Sequence, residues 1–381
     1  MTSKLLNAIK SFLGYKKIRT IQELQDLPNQ TTPNFRKVHH VDLSGLDLSK
    51  YPNMFEGKLP NPFTPAIDLA RQNIITDWSD QVIWPSPDKM PNGVNPKQIL
   101  EESKKRPEIE PLHKQGKTGK GINIAIIDQR LNTTHPEYRD NIKHYQVFGP
   151  WDKKGTDYHG SLVAGIAVGK TTGVAPDANL YYFAAPVSEK TPNGEHKLSR
   201  KYAMEAIKEI INFNKNHPDS EKIRFLSCSW GTKQDLYFNE CEKLFKECEK
   251  QGIKILGASH AKQISMPYDA RYGNSSEFIG IPTDGKTTSF WQGGFKYTRQ
   301  GGSSSTFPYV AGVYACATQG NELFFTRQNW QDELDKIMQE TAMESPNGRK
   351  TINPLGIRKA VTERTREMEM NLIKQKSIQH E

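Results

Sequence analysis

Three observations predict an α/β fold built on a parallel sheet. The run INIAIID at 122–128 is apolar and β-branched, the composition of a strand buried on both faces. SRKYAMEAIKEIINF at 199–213 repeats apolar residues at helical spacing. Between 122 and 258, strand-like and helix-like stretches alternate, as they do when crossover helices cover both sides of a sheet.

The elements follow in order. After Gly119-Lys120-Gly121, the first strand ends at Asp128. GSLVAGIAVG (160–169) reads as a helix stopped by Gly169, and NLYYFAA (179–185) as the next strand. The amphipathic helix 199–213 leads to the strand IRFLSCSW (223–230). LYFNECEKLFKECEK (236–250) is a helix, with Cys241 and Cys248 on the face of Leu244 and Phe245, and GIKILGA (252–258) a strand. A last core helix runs from about Ser304 to Thr318, and TERTREMEMNLIKQKSIQHE is a polar helical tail.

Upstream the text changes. Pro28, Pro33, Pro52, Pro60, Pro62, Pro65, Pro85, Pro87, Pro91 and Pro96 exclude long helices, because each removes a donor and restricts its predecessor. VDLSGLDLSKY (41–51) alternates like a short strand, and Leu5, Leu6, Ile9, Phe12 and Leu13 share a helical face that packs on the parent domain. The expected organisation is a Pro-rich extension over 1–110, an α/β domain over 111–362 and a helical tail over 363–381.

Lys plus Arg number 52 against 43 Asp plus Glu, a net charge of +9 spread over 381 residues without like-charged blocks. That bias does not make a nucleic-acid binder, and the basic C-terminal helix lacks interleaved aromatics. No apolar run approaches the ~20 residues of a membrane span. The first residues carry Lys4 and Lys10 within the apolar stretch and no small-residue cleavage site, unlike a secretory signal. Cys228, Cys241, Cys248 and Cys316 lack paired metal-ligand spacing and read as reduced thiols. The expectation is a soluble cytoplasmic protein with no cofactor and no metal in its chemistry, structural calcium being left open. Two phosphate-binding look-alikes fail on context. AGIAVGKT (164–171) closes a helix where a phosphate loop opens one, and Gly116, Gly119 and Gly121 precede their strand.

Chemistry gathers beyond the carboxyl ends of the strands of such a sheet. Asp128 stands at a strand end, and His159 directly precedes a small-residue helix. GGSSSTFPYVAGVYACA places serines at the start of another helix, where free backbone N–H groups favour developing negative charge. A hydroxyl becomes nucleophilic when a base takes its proton, and the base needs an orienting carboxylate.

These residues resemble the subtilisin-like serine proteases, the subtilases, over roughly 120–360. IAIIDQRLNTTHPEY resembles the family's Asp strand with its following His-Pro-acidic segment, and HGSLVAGIA the helix H-G-T-x-V-A-G. GVAPDANLY (173–181) resembles G-V-A-P-x-A, and GSSSTFPYVAG (302–312) resembles G-T-S-x-A-x-P-x-V-A-G. Ser229-Trp230-Gly231 resembles the S-x-G segment bordering the substrate, and INP (352–354) the closing turn. The resemblance implies a three-layer α/β/α sandwich with a mostly parallel sheet. It implies a serine endopeptidase whose catalytic residues are Asp128, His159 and Ser304, acting on a protein or peptide through an acyl-enzyme. Register against Pro308 selects Ser304, with Ser303 and Ser305 as alternatives.

The departures are specific. Gln129-Arg130 replaces the small residues that follow the family's Asp, and ILGASHAK lacks the family's oxyanion Asn. His260 or Ser259 can donate in its place, His260 being the choice. Trp230 stands where the family has a smaller residue, either narrowing a specificity pocket or packing in the core. These departures keep a second reading open, a catalytically silent subtilase-like scaffold that binds or regulates. The oligomeric state is not legible.

Overall fold

The computed structural model describes residues 15–25, 40–51, 80, 82–151, 158–186, 188–190, 196–230, 236–257, 279–283, 286–289, 293–298, 302–344 and 350–378. They fall into two compact units, one within 1–105 together with 285–300, the other within 106–284 together with 301–381. The apolar face of residues 1–14, Gly231, Ser259 and His260 lie outside the described residues.

The first unit holds strand β1 (Tyr15–Lys17), helix α1 (Ile21–Gln25), β2 (His40–Asp42), β3 (Val82–Ile83) and α2 (Pro96–Glu102). The three strands form a parallel sheet in the order β1-β2-β3. The alternation over 41–51 is strand only at its start. Asp42 Oδ1 accepts the amide and hydroxyl of Ser44, and Asp47 Oδ1 those of Ser49. Each Asp-Leu-Ser triplet thus curls into a side-chain-closed turn. Leu43, Leu46 and Leu48 are still buried, around Ile18 and Met90. Helix α2 starts where Asn95 accepts from the Gln98 amide and Pro96 needs no donor.

The second unit begins with α3 (Glu110–Lys114), whose Leu112 joins Ile109 in the core. Next come β4 (Asn123–Asp128), β5 (Ile142–Val147), α4 (Tyr158–Val168), β6 (Asn179–Ala184), β7 (Ser188–Lys190) and β8 (His196–Leu198). They are followed by α5 (Lys201–Asn216), β9 (Ile223–Cys228), α6 (Phe238–Lys250) and β10 (Lys254–Gly257). The central sheet has the order β10-β9-β4-β6-β5, and every pairing in it is parallel. An antiparallel hairpin, β11 (Lys286–Ser289) with β12 (Phe295–Thr298), returns to the first unit, where Thr287 donates to the carbonyls of Ser103 and Leu100. The second unit is completed by α7 (Ser303–Thr318), α8 (Trp330–Thr341), the short pair β13 (Met343–Glu344) and β14 (Lys350–Thr351), and α9 (Pro354–Ile378).

The period-2 alternation of strands divides the core in two. From β4, Ile124 and Ile126 join one apolar cluster with α4, α7, α8 and α9, while Ala125 and Ile127 join a second with α5 and α6. Each fully buried isoleucine contributes roughly 1.5–3 kcal/mol. This is the three-layer α/β/α sandwich expected from the sequence. Helix α5 buries Ala203, Ala206, Ile207, Ile210 and Ile211 on one stripe and stops ahead of His217-Pro218. Its Asn214 side chain donates to the Ile223 carbonyl and accepts from the Ile223 amide, tying helix end to strand start.

Several elements escaped the sequence reading, among them the core helix α8, the hairpin β11–β12 and the edge strand β5. IKHYQV became the edge strand β5, half-exposed and too mixed for a buried-strand pattern. The tail helix begins at Pro354 and buries Ile357, Ala360 and Val361 before projecting, so only its distal half is peripheral. All four cysteines are free and buried.

Candidate functional site

The sheet's topology says where to look. From β4 the chain runs through β5 to β6 on one side, then crosses to β9 on the other, which makes the β4/β9 boundary the switch point. Ligands of open parallel sheets bind outside the carboxyl ends of the strands at such a point. Asp128 is the last residue of β4 and Ser229 follows the last residue of β9. Alternation puts the Asp128 side chain on the α4/α7 face, with Ile124 and Ile126.

Asp128 is 1% exposed. Its Oδ1 accepts the Gln129 amide at 2.7 Å and the His159 Nδ1–H at 2.7 Å. A carboxylate oxygen only accepts, so the contact sets the tautomer of the neutral ring, with its proton on Nδ1 and a free lone pair on Nε2. Burial lowers the pKa of His159, and the charge and hydrogen bond of Asp128 together overcome that, leaving it raised above the ordinary 6.5.

Gly160 has a steric reason. A methyl there would stand 2.5 Å from the Gln129 carbonyl, 2.6 Å from the Tyr182 hydroxyl and 2.8 Å from the Arg130 carbonyl. The loop after Asp128 therefore lies directly against the first turn of α4, and Tyr182 fixes it by donating to the Gln129 carbonyl at 2.5 Å.

The His-Pro-Glu-Tyr segment ties the same helix at both ends. Tyr138 donates to Ser161, two residues past His159, at 2.9 Å. Glu137, 4% exposed, receives the amides and hydroxyls of both Thr171 and Thr172, just beyond the end of α4. Among the described residues, no cluster of three or more His, Cys, Asp or Glu is arranged to hold a metal ion.

Ser304 is the second residue of α7, after an extended Gly302. It is half-buried, whereas Ser305 is 3% exposed. Helix interiors bond each carbonyl to the amide four residues on, and for Ser304 that residue is Pro308, which has no N–H. The orphaned carbonyl is filled from outside: Ser229 donates its hydroxyl to it at 2.8 Å. The Ser304 hydroxyl in turn lies 3.5 Å from the Ser229 carbonyl, a loose contact. Helices α4 and α7 pack on each other.

The structure thus pairs Asp128 with His159, and Ser229 with Ser304. Trp230 turns away toward the α5/α6 layer, donating its indole N–H to the Ile127 carbonyl at 3.0 Å beneath the Arg200 guanidinium. Arg130 stacks on Trp151, 4.9 Å from the ring centre. Sequence reasoning missed the positioning work of Glu137 and Tyr182. Glu137 had a signal, an acidic residue directly after His-Pro. Tyr182 had none, being one aromatic in an apolar strand.

Comparison with known proteins agrees with this architecture. Residues 119–266 match the Subtilase family, a span that includes Asp128 and His159 and stops short of Ser304. Over 255 residues the chain is 23% identical to the major intracellular serine protease of Bacillus subtilis (strain 168), covering 58% of this chain and 75% of that protein. Over 242 residues it is 22% identical to an intracellular serine protease of Paenibacillus polymyxa, covering 57% and 72%. Among solved structures, the fold is similar to that of the prenylagaramide maturation protease PagA, with a TM-score of 0.51 at 17% identity, covering 67% of this chain and 99% of that one.

Proposed function

We propose that the chain, whose residues 119–266 match the Subtilase family, is a serine endopeptidase using Asp128, His159 and Ser304. The observation that carries the reading is the 2.7 Å bond from His159 Nδ1 to a buried carboxylate, which leaves Nε2 as the base. Ser304 attacks the peptide carbonyl as His159 takes its proton, and His159 then protonates the leaving amine. Water repeats the sequence on the acyl-enzyme. The oxyanion is met by the Ser304 backbone N–H at the start of α7 and by a side-chain donor, for which His260 is the candidate; such a donor is worth about 3 kcal/mol. The substrate is a protein or peptide, bound against the backbone of the segment Ser229-Trp230-Gly231. The two intracellular proteases among the relatives support a cytoplasmic setting.

A fluorophosphonate probe tests the assignment. Wild-type chain and Ser305→Ala should label, and Ser304→Ala should not. Labelling that survives Ser304→Ala removes the nucleophile, and a well-folded wild type that never labels favours the silent scaffold.

A further inference from the structure

We propose that Trp230 is a positioning residue that holds the strand of Asp128 in register with the helix of Ser304; the inference rests on the serine-protease reading above. Pairing between β4 and β9 runs as far as Ile126 with Ser227 and goes no further. Past that pair the two middle strands of the sheet separate. On the β6 side the Asp128 carbonyl is still served by the Ala185 amide at 2.8 Å, so alternation turns the Ile127 carbonyl toward the β9 side, where the ladder has ended. A buried carbonyl there needs a donor. The Trp230 indole N–H supplies it at 3.0 Å.

The residue next to Trp230 completes the bracket. Ser229 donates to the Ser304 carbonyl at 2.8 Å. Two consecutive side chains therefore reach in opposite directions across the gap, one to the peptide preceding Asp128 and the other to the first turn of α7. The indole is itself clamped, with the Arg200 guanidinium 4.5 Å over its ring and the Phe245 ring centre 5.9 Å away. Both belong to the layer opposite Asp128. An indole packed there meets the strand backbone in place of a substrate side chain, which parts this role from the pocket-lining role that its position first suggested.

Trp230→Phe in the full chain keeps an aromatic ring near the core while removing the donor together with the pyrrole part of the indole. The expected result is a folded protein with kcat lowered about tenfold or more and KM within about twofold. The acidic limb of its kcat/KM profile should move to lower pH, because a loosened Asp128 raises the His159 pKa less. Arg200→Met, which frees the indole without removing it, should shift kcat and the limb in the same direction by less, and it serves as the readout if Trp230→Phe fails to fold. Variants that keep kcat and the acidic limb within twofold of wild type overturn the proposal. A change confined to KM overturns it too, by making Trp230 a substrate contact. A wild-type chain without Ser304-dependent hydrolysis removes the protease reading itself, whereas an active wild type beside an unperturbed Trp230→Phe removes this inference alone.

Discussion

Ser229 donates its hydroxyl to the Ser304 carbonyl, the helix carbonyl that Pro308 leaves without a partner. The spacing of serine and proline in the sequence thus has a backbone meaning. The proline vacates an acceptor within Ser304 itself, and a strand-end serine occupies it.

That pairing predicts a compensating double variant. Ser229→Ala strips a carbonyl of its donor and should lower stability by about 1–2 kcal/mol, with kcat falling more than KM changes. Pro308→Ala restores an amide four residues on. The double variant should recover most of the lost stability by closing the helix bond, without recovering kcat. Urea unfolding beside steady-state kinetics reads both quantities, and strictly additive stability losses would contradict the account.

The raised pKa of His159 sets the direction of the pH dependence. The base must be neutral, so kcat/KM should climb as pH rises through a value above 6.5. Asp128→Asn removes the charge that, together with the hydrogen bond, overcomes burial, so that limb should fall to lower pH while kcat drops by about 10⁴. The stability contributed by the protonated ring runs the other way: complete below the unfolded value of 6.5, it is lost as pH rises through the folded one. A pH–rate profile of wild type and Asp128→Asn reads the shift, and an unmoved limb would deny Asp128 its role.

Glu137 predicts a stability effect with a local signature. Replacing it by Ala leaves the amides and hydroxyls of Thr171 and Thr172 facing a gap, two of them on a buried residue. The expected loss is about 3 kcal/mol. Hydrogen exchange should quicken at Thr171 and Thr172 well before it quickens in β4. A loss under about 1 kcal/mol would show that water substitutes freely for the carboxylate.

Much of this protein was legible before any coordinates. INIAIID read as a doubly buried strand because a strand covered on both faces has no polar alternation to disguise it. Helix α5 read as a helix because its buried stripe recurs at helical spacing. Asp128 stood out as a lone carboxylate closing an apolar run, while among the serines before Pro308 only the register of the family resemblance singled out Ser304. The edge strand β5 was missed for the converse reason, since a half-exposed strand tolerates His, Lys and Gln. The leucines of 41–51 misled because turns closed by Asp42 and Asp47 also bury every second or third residue.

Local composition and spacing decided the element types, the sheet's parallel character and the candidates for the site, because these depend on neighbours a few residues away. Folding decided which groups meet. The amide of Gln129 and the ring of His159 share one carboxylate oxygen, Glu137 gathers four donors from Thr171 and Thr172, and the indole of Trp230 extends a ladder whose last strand pair is Ile126 with Ser227. Apart from the Gln129 amide, which meets its neighbour, these contacts join residues far apart in the chain. They arise only when packing has excluded water and each buried polar atom must find a partner within reach.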